Sequence, residues 1–132
     1  AILRLFRKLK EHTKTAIVII THDLGVIAGL ADRVAVMYAG RIVELSDVYS
    51  LYSAPEHPYT QGLVAAAPRM DTDSTGSMPT IPGQPPDLRK IPAGCAFAPR
   101  CVHASDECLR ERPELRETPA GHQIACHKDI TP

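Results

Sequence analysis

Residues 15–21, TAIVIIT, constrain the chain more than any other stretch. The run is β-branched at nearly every position and has no polar alternation. That is how a strand covered on both faces reads, typically a parallel one. A covered strand needs a partner at each edge and helices on both sides. Residues 1–68 contain too little to provide them: one covered strand, one hairpin and three or four helices. The neighbours are therefore expected from another chain or from a larger domain of which this is the closing part. A swapped oligomer of the chain is a third arrangement that would pair the lone strand.

The other elements follow from local pattern. Residues 1–13 read as a helix, with Ile2, Leu3, Leu5, Phe6 and Leu9 on one broad face. Asp23 is placed to cap a helix carrying Leu24, Ile27, Ala28 and Ala31. Residues 33–38 (RVAVMY) and 41–45 (RIVEL) form a hairpin about Ala39-Gly40, with Val34, Val36 and Tyr38 on one face. Short helices are expected over 47–53 and 59–67, with Pro58 in the first turn of the second and Pro68 ending it. Residues 69–92 read as a Pro-rich linker, within which IPGQPPDL, residues 81–88, is an extended, stiff strap. One more short helix is expected over 106–112. The overall expectation is an α/β unit followed by a small, irregular cysteine-rich extension over residues 93–132.

Fifteen basic and fifteen acidic residues cancel, so the basic footprint of a nucleic-acid binder is missing and no nucleic acid is expected as a partner. The longest strongly apolar run near the start is Ala16–Ile20, far short of the roughly 20 residues of a membrane span. Residues 1–14 lack the order of a secretory signal.

All four cysteines fall in the last 38 residues: Cys95, Cys101, Cys108 and Cys126, spaced C-x5-C-x6-C-x17-C. Without a secretion signal, four clustered thiols read more naturally as a metal or iron–sulfur site than as a disulfide framework. The C-x2-C knuckles of a zinc ribbon are absent, and the wide spacings suit a loop wrapped around a larger object. His122 and His127 flank Cys126 as substitute ligands. Arg100, between the first two thiols, could shape that loop or offset the charge of four thiolates.

Together these segments carry a resemblance. The stretch TAIVIITHDLGVIAGLADRVAVMYAGRIVE, residues 15–44, resembles the last part of an ABC-transporter nucleotide-binding domain, a P-loop ATPase. Followed by APEHPYTQGLVAAAPR (54–69), IPGQPPDL (81–88), GCAFAPRC (94–101), Cys108 and HQIAC (122–126), it is similar to the oligopeptide/dipeptide importer ATPase subunits with their C-terminal extension. The resemblance implies that His22, at a strand tip, is the histidine that contacts the ATP γ-phosphate and helps orient the attacking water. It implies ATP and magnesium as cofactors of the full-length protein, and a [4Fe–4S] cluster on Cys95, Cys101, Cys108 and Cys126, with zinc as the runner-up. It implies a second ABC ATPase subunit, transmembrane permease subunits and an external solute-binding protein as partners, on the cytoplasmic face of the membrane. His57-Pro58-Tyr59-Thr60 is a family marker without evident reactivity.

The chain also departs from the family. It has no G-x-x-x-x-G-K-[ST], no acidic pair closing an apolar strand and no signature loop. By itself it is expected not to hydrolyse ATP. The competing expectation is a stand-alone metal or iron–sulfur binding module that regulates a partner.

Overall fold

In the computed structural model, residues 2–67 and 79–130 are described. Residues 68–78, which take in most of the first half of the expected linker, and residues 131–132 lie outside them. The chain opens with α1 (Ile2–His12) and α2 (Leu24–Ala28), then the hairpin strands β1 (Arg33–Tyr38) and β2 (Arg41–Asp47). Helices α3 (Val48–Ser53) and α4 (Pro58–Ala66) follow. The cysteine-bearing part contributes a 3₁₀ turn (Ala98–Arg100), α5 (Asp106–Arg110), β3 (Arg116–Glu117) and β4 (Gln123–Ile124). The strands make one antiparallel sheet in the order β1-β2-β4-β3. The extension is thus less irregular than its sequence suggests: its two short strands widen the hairpin into a sheet.

One expectation is corrected outright. Residues 15–21 are not in a strand. Val18 and Ile20 are almost fully exposed, at 88% and 95%. The physical reason is the one that made the run conspicuous: no strand among the described residues pairs with it, and of its side chains only Ile17 and Thr21 are partly covered.

The hairpin conforms to its pattern and then breaks it. Along β1, burial alternates, with Val34, Val36 and Tyr38 inward. The two-residue turn places Ala39 at φ 48° and Gly40 at φ 79°, the left-handed pair that a tight hairpin needs. In β2 the register shifts: Met37 faces Ile42 and Val36 faces Glu44, so Val43 is an extra residue, a β-bulge. Without it, strict alternation would turn Glu44 outward. With it, Val43 and Glu44 are both buried, and Glu44 lies on the same face as Val36 and Val34.

The core gathers Val34, Val36, Tyr38, Val43, Leu51 and Phe97. Tyr38 from the hairpin, Tyr59 from α4 and Phe97 from the cysteine-bearing part meet with ring centroids 4.7, 5.2 and 5.5 Å apart. Such edge-on arrangements favour aromatic pairs beyond the area they bury. Asp23 caps α2 as expected, accepting from the Gly25 and Val26 amides at 2.8 and 3.3 Å. Asp47 caps α3 through the Ser50 amide at 2.9 Å, which also holds its carboxyl below the usual range. By contrast α1 buries no residue. It is tied by Arg7 to the Gly29 carbonyl and by Lys10 to the Leu30 carbonyl and Asp32.

The strap is held from the cysteine loop. Arg100 donates to the Pro82 and Ile81 carbonyls at 3.0 and 3.2 Å. Its guanidinium is therefore spent on the strap rather than on the charge of the thiol cluster. Gly83, at φ 86°, lies where a Cβ would come within 3.0 Å of the Arg100 Cγ.

Candidate functional site

The four cysteines singled out by their spacing come together. Cys95, Cys101, Cys108 and Cys126 line one cavity with His57, Pro58, Phe97, Ala98, His103, Pro113, His127, Lys128 and Ile130. The enclosed space between these side chains is small, about 20 Å³. All four are free thiols. Cys95 is anchored by its amide, which donates to the Cys108 carbonyl at 2.7 Å. Gly94 permits that approach, since a Cβ there would fall 2.3 Å from the same oxygen.

Burial pushes the Cys95 thiol up, and the neighbouring thiols add to this; the Phe97 and Ala98 amides oppose it. Cys126 is likewise pushed up by burial, against a hydrogen bond from the Lys128 amide. Neither thiol is therefore activated as a nucleophile at neutral pH. Metal binding would have to displace the protons, as it does at thiolate sites generally.

A single tetrahedral zinc needs each sulfur about 2.3 Å from the metal, hence sulfurs under about 4 Å apart. Among the described residues, no three His, Cys, Asp or Glu side chains are arranged to hold one metal ion. The donor set, four soft thiols around an apolar space, is of the kind that binds zinc or an iron–sulfur cluster once the thiols are deprotonated.

The flanking histidines divide. His127 lines the cavity, but its Nε2 is 2.8 Å from the Glu111 carbonyl. His122 is fully buried elsewhere, its Nδ1 donating to Glu44 Oε1 at 2.7 Å. Neither is presented as a free ligand.

Glu44 and His57 are the residues that sequence reasoning missed. Glu44 has no exposed surface. Its Oε1 accepts from the Glu56 amide and from His122, and its Oε2 from the His57 amide, at 2.9, 2.7 and 2.9 Å. A buried carboxylate with three donors is well compensated. His57 caps α4, its Nδ1 accepting from the Tyr59 amide at 3.0 Å, and its ring walls the cysteine cavity 6.0 Å from Phe97. Burial lowers the His57 pKa to about 4, against the opposing pull of the Glu44 carboxylate and a hydrogen bond to the Ala125 backbone. The ring is thus neutral at pH 7. The HPYT segment is structural, joining α4, the sheet and the thiol cavity.

His22 stands apart from all of this. It is exposed, at the bend between the extended run and α2. Tyr52, on α3, donates its hydroxyl to the carbonyl of Leu24 in the first turn of α2. A second and larger cavity, of about 250 Å³, shares Cys95 and Phe97 with the first and is lined by Arg41, Ile42, Ile91, Arg112 and Leu115 among others.

A hairpin-and-helix unit bearing a docked four-thiol segment is what the geometry defines. Residues 43–108, half of the chain, match the family described as "Oligopeptide/dipeptide transporter, C-terminal region", and the chain belongs to that family. It is 46% identical over 129 residues to the oligopeptide transport ATP-binding protein OppD of Salmonella typhimurium, covering 98% of this chain and 38% of that protein. It is 42% identical over 125 residues to the dipeptide transport ATP-binding protein DppD of Bacillus subtilis, covering 95% of this chain and 37% of that protein. The OppD of Mycobacterium tuberculosis is 46% identical over 125 residues, covering 95% of this chain and 20% of that protein. The chain thus spans well under half the length of these relatives. No helix among the described residues is long and apolar enough to cross a membrane.

Proposed function

We propose that the polypeptide to which this chain belongs powers the import of oligopeptides or dipeptides by hydrolysing ATP. The observation that carries this is the continuous match, over nearly the whole chain, to ATP-binding proteins of oligopeptide and dipeptide transport. In this reading residues 1–68 close a nucleotide-binding domain whose phosphate loop and magnesium site lie outside the chain. The permease subunits, a second ATPase subunit and an external solute-binding protein complete the importer, with this subunit peripheral on the cytoplasmic face.

His22 is the residue of this chain that reaches the nucleotide. An imidazole can donate one hydrogen bond to a γ-phosphate oxygen while its other nitrogen is held by a neighbour. Its exposure, one residue before the cap of α2, leaves the ring accessible to a nucleotide. In the complete polypeptide, His22→Ala is expected to cut ATP turnover by about a hundredfold while ATP binding persists. Unchanged turnover would defeat the assignment.

The proposal extends to the thiols. Cys95, Cys101, Cys108 and Cys126 hold a [4Fe–4S] cluster, whose thiolate-bound iron would supply a redox-active or structural centre. Their convergence on one cavity supports a shared thiolate-bound group, and the wide sequence spacing without C-x2-C knuckles favours a cluster over zinc. Anaerobically prepared protein is expected to contain iron and sulfide in equal amounts and to absorb broadly in the visible; zinc without sulfide would refute it. The alternative of a separable regulatory module has less support, because β4 pairs with β2 and His122 is buried on Glu44.

A further inference from the structure

We infer that Glu44 is a positioning residue of the cysteine site, a group that, from the interior, holds the approach to Cys126 in register with the other three thiols. The inference deepens the reading of the cysteines as ligands and rests on it.

The spacing poses the problem. Cys95, Cys101 and Cys108 lie within one compact loop and helix, closed by the hydrogen bond from the Cys95 amide to the Cys108 carbonyl. Cys126 arrives after seventeen intervening residues, at the exit of a strand only two residues long. Its backbone is tied to β2 and β3 and, beyond the strand, by the Ala125 amide on the Val43 carbonyl at 2.9 Å, while Arg116 donates to the Cys126 and Lys128 carbonyls at 2.9 and 3.0 Å. These bonds hold the backbone at and after Cys126; the side chains of the approach to it are held from the interior.

Glu44 acts along two routes. Directly, Oε1 takes the proton-bearing Nδ1 of His122, four residues before Cys126. Indirectly, Oε2 takes the amide of His57, whose ring lines the same cavity as Cys126. The direct route grips the approach to Cys126 at His122, and the indirect one fixes the cavity wall that the thiol shares. The β-bulge at Val43 is what turns the carboxylate inward to meet them.

An isosteric amide cannot replace the carboxylate. Two donors meet Oε1 and one meets Oε2. In either orientation of a glutamine, its NH₂ faces a backbone N–H, so a buried donor is left unmatched.

The test uses the complete polypeptide in its metal-free form, pulsed with iodoacetamide under anaerobic conditions, with each cysteine quantified by mass spectrometry. Glu44→Gln is expected to raise alkylation of Cys126 about tenfold relative to Cys95, Cys101 and Cys108, because losing a buried charge-assisted bond makes local opening of its segment that much more frequent. Leu51→Ala, a cavity in the same core that removes no Glu44 partner, is expected to change all four thiols alike. Should Glu44→Gln fail to accumulate, His122→Gln interrupts the direct route alone and is expected to shift Cys126 selectively by a smaller factor. Equal change at all four thiols in the Glu44 or His122 variant, or no change, overturns the inference. A selective change at Cys126 in a protein that never takes up iron and sulfide would uphold the positioning role and remove the cluster.

Discussion

The buried His57 makes stability depend on pH in a calculable way. Its pKa in the folded protein is about 4, against 6.5 for an ordinary histidine. The unfolded chain therefore binds a proton that the folded protein refuses between these values. Stability from this group is level above pH 6.5, falls as pH drops through the window, and levels again below about 4. A displacement of that size amounts to about 3 kcal/mol at full extent, of which about 2 kcal/mol falls between pH 7 and pH 4.5.

The perturbation that isolates it is His57→Asn. Asparagine caps a helix well and can accept from the Tyr59 amide, but does not titrate in this range. It loses the ring's contact with Phe97, so the variant is less stable at pH 7. The informative quantity is the change with pH. Urea unfolding followed by circular dichroism at pH 7 and pH 4.5 is expected to show the wild type losing about 2 kcal/mol more than the variant. Carboxylates titrate in both and cancel in the difference. If both proteins lose the same amount, His57 is not a neutral ring in a dry wall, and its place beside the thiols is wrong.

Leu51 is wholly buried, so Leu51→Ala is expected to cost about 2–5 kcal/mol in the same unfolding assay; a loss under about 1 kcal/mol would place it outside the core. Gly94→Ala drives a Cβ against the Cys108 carbonyl and the Leu109 backbone. With the cluster proposed for these thiols, iron content per chain is expected to fall severalfold in consequence, and a variant loaded as fully as the wild type would contradict that packing. Arg100→Ala releases the strap from its two carbonyl bonds, and limited proteolysis should then cut within residues 81–88 at least several times faster than in wild type.

Much of the fold was legible because the local patterns agreed with the tertiary context. The alternation of Val34, Val36 and Tyr38, the Ala39-Gly40 turn, the Asp23 cap and Pro58 at a helix start each express a short-range rule. Each stands where that rule puts it. The run TAIVIIT failed for the opposite reason. Its apolar content is a statement about neighbours, and strand formation needs them as much as it needs β-branched residues. The strands at Arg116–Glu117 and Gln123–Ile124 were invisible because two residues carry no periodicity.

Glu44 shows why the site was only half readable. The thiols announce themselves by residue type, but a residue that positions them does not. Written in sequence, RIVEL places Glu44 as the polar member of an alternating strand, on the face opposite Val43. A bulge leaves no trace in composition, yet it reverses that face and carries a carboxylate into the interior. Once inside, the carboxylate needs donors, and the three it finds are the Glu56 amide, the His57 amide that opens the HPYT segment, and His122 on the approach to Cys126. The two family markers, separate in sequence and without an evident link, are therefore one assembly. The need of a buried charge for partners is what ties the α4 entrance to the fourth thiol.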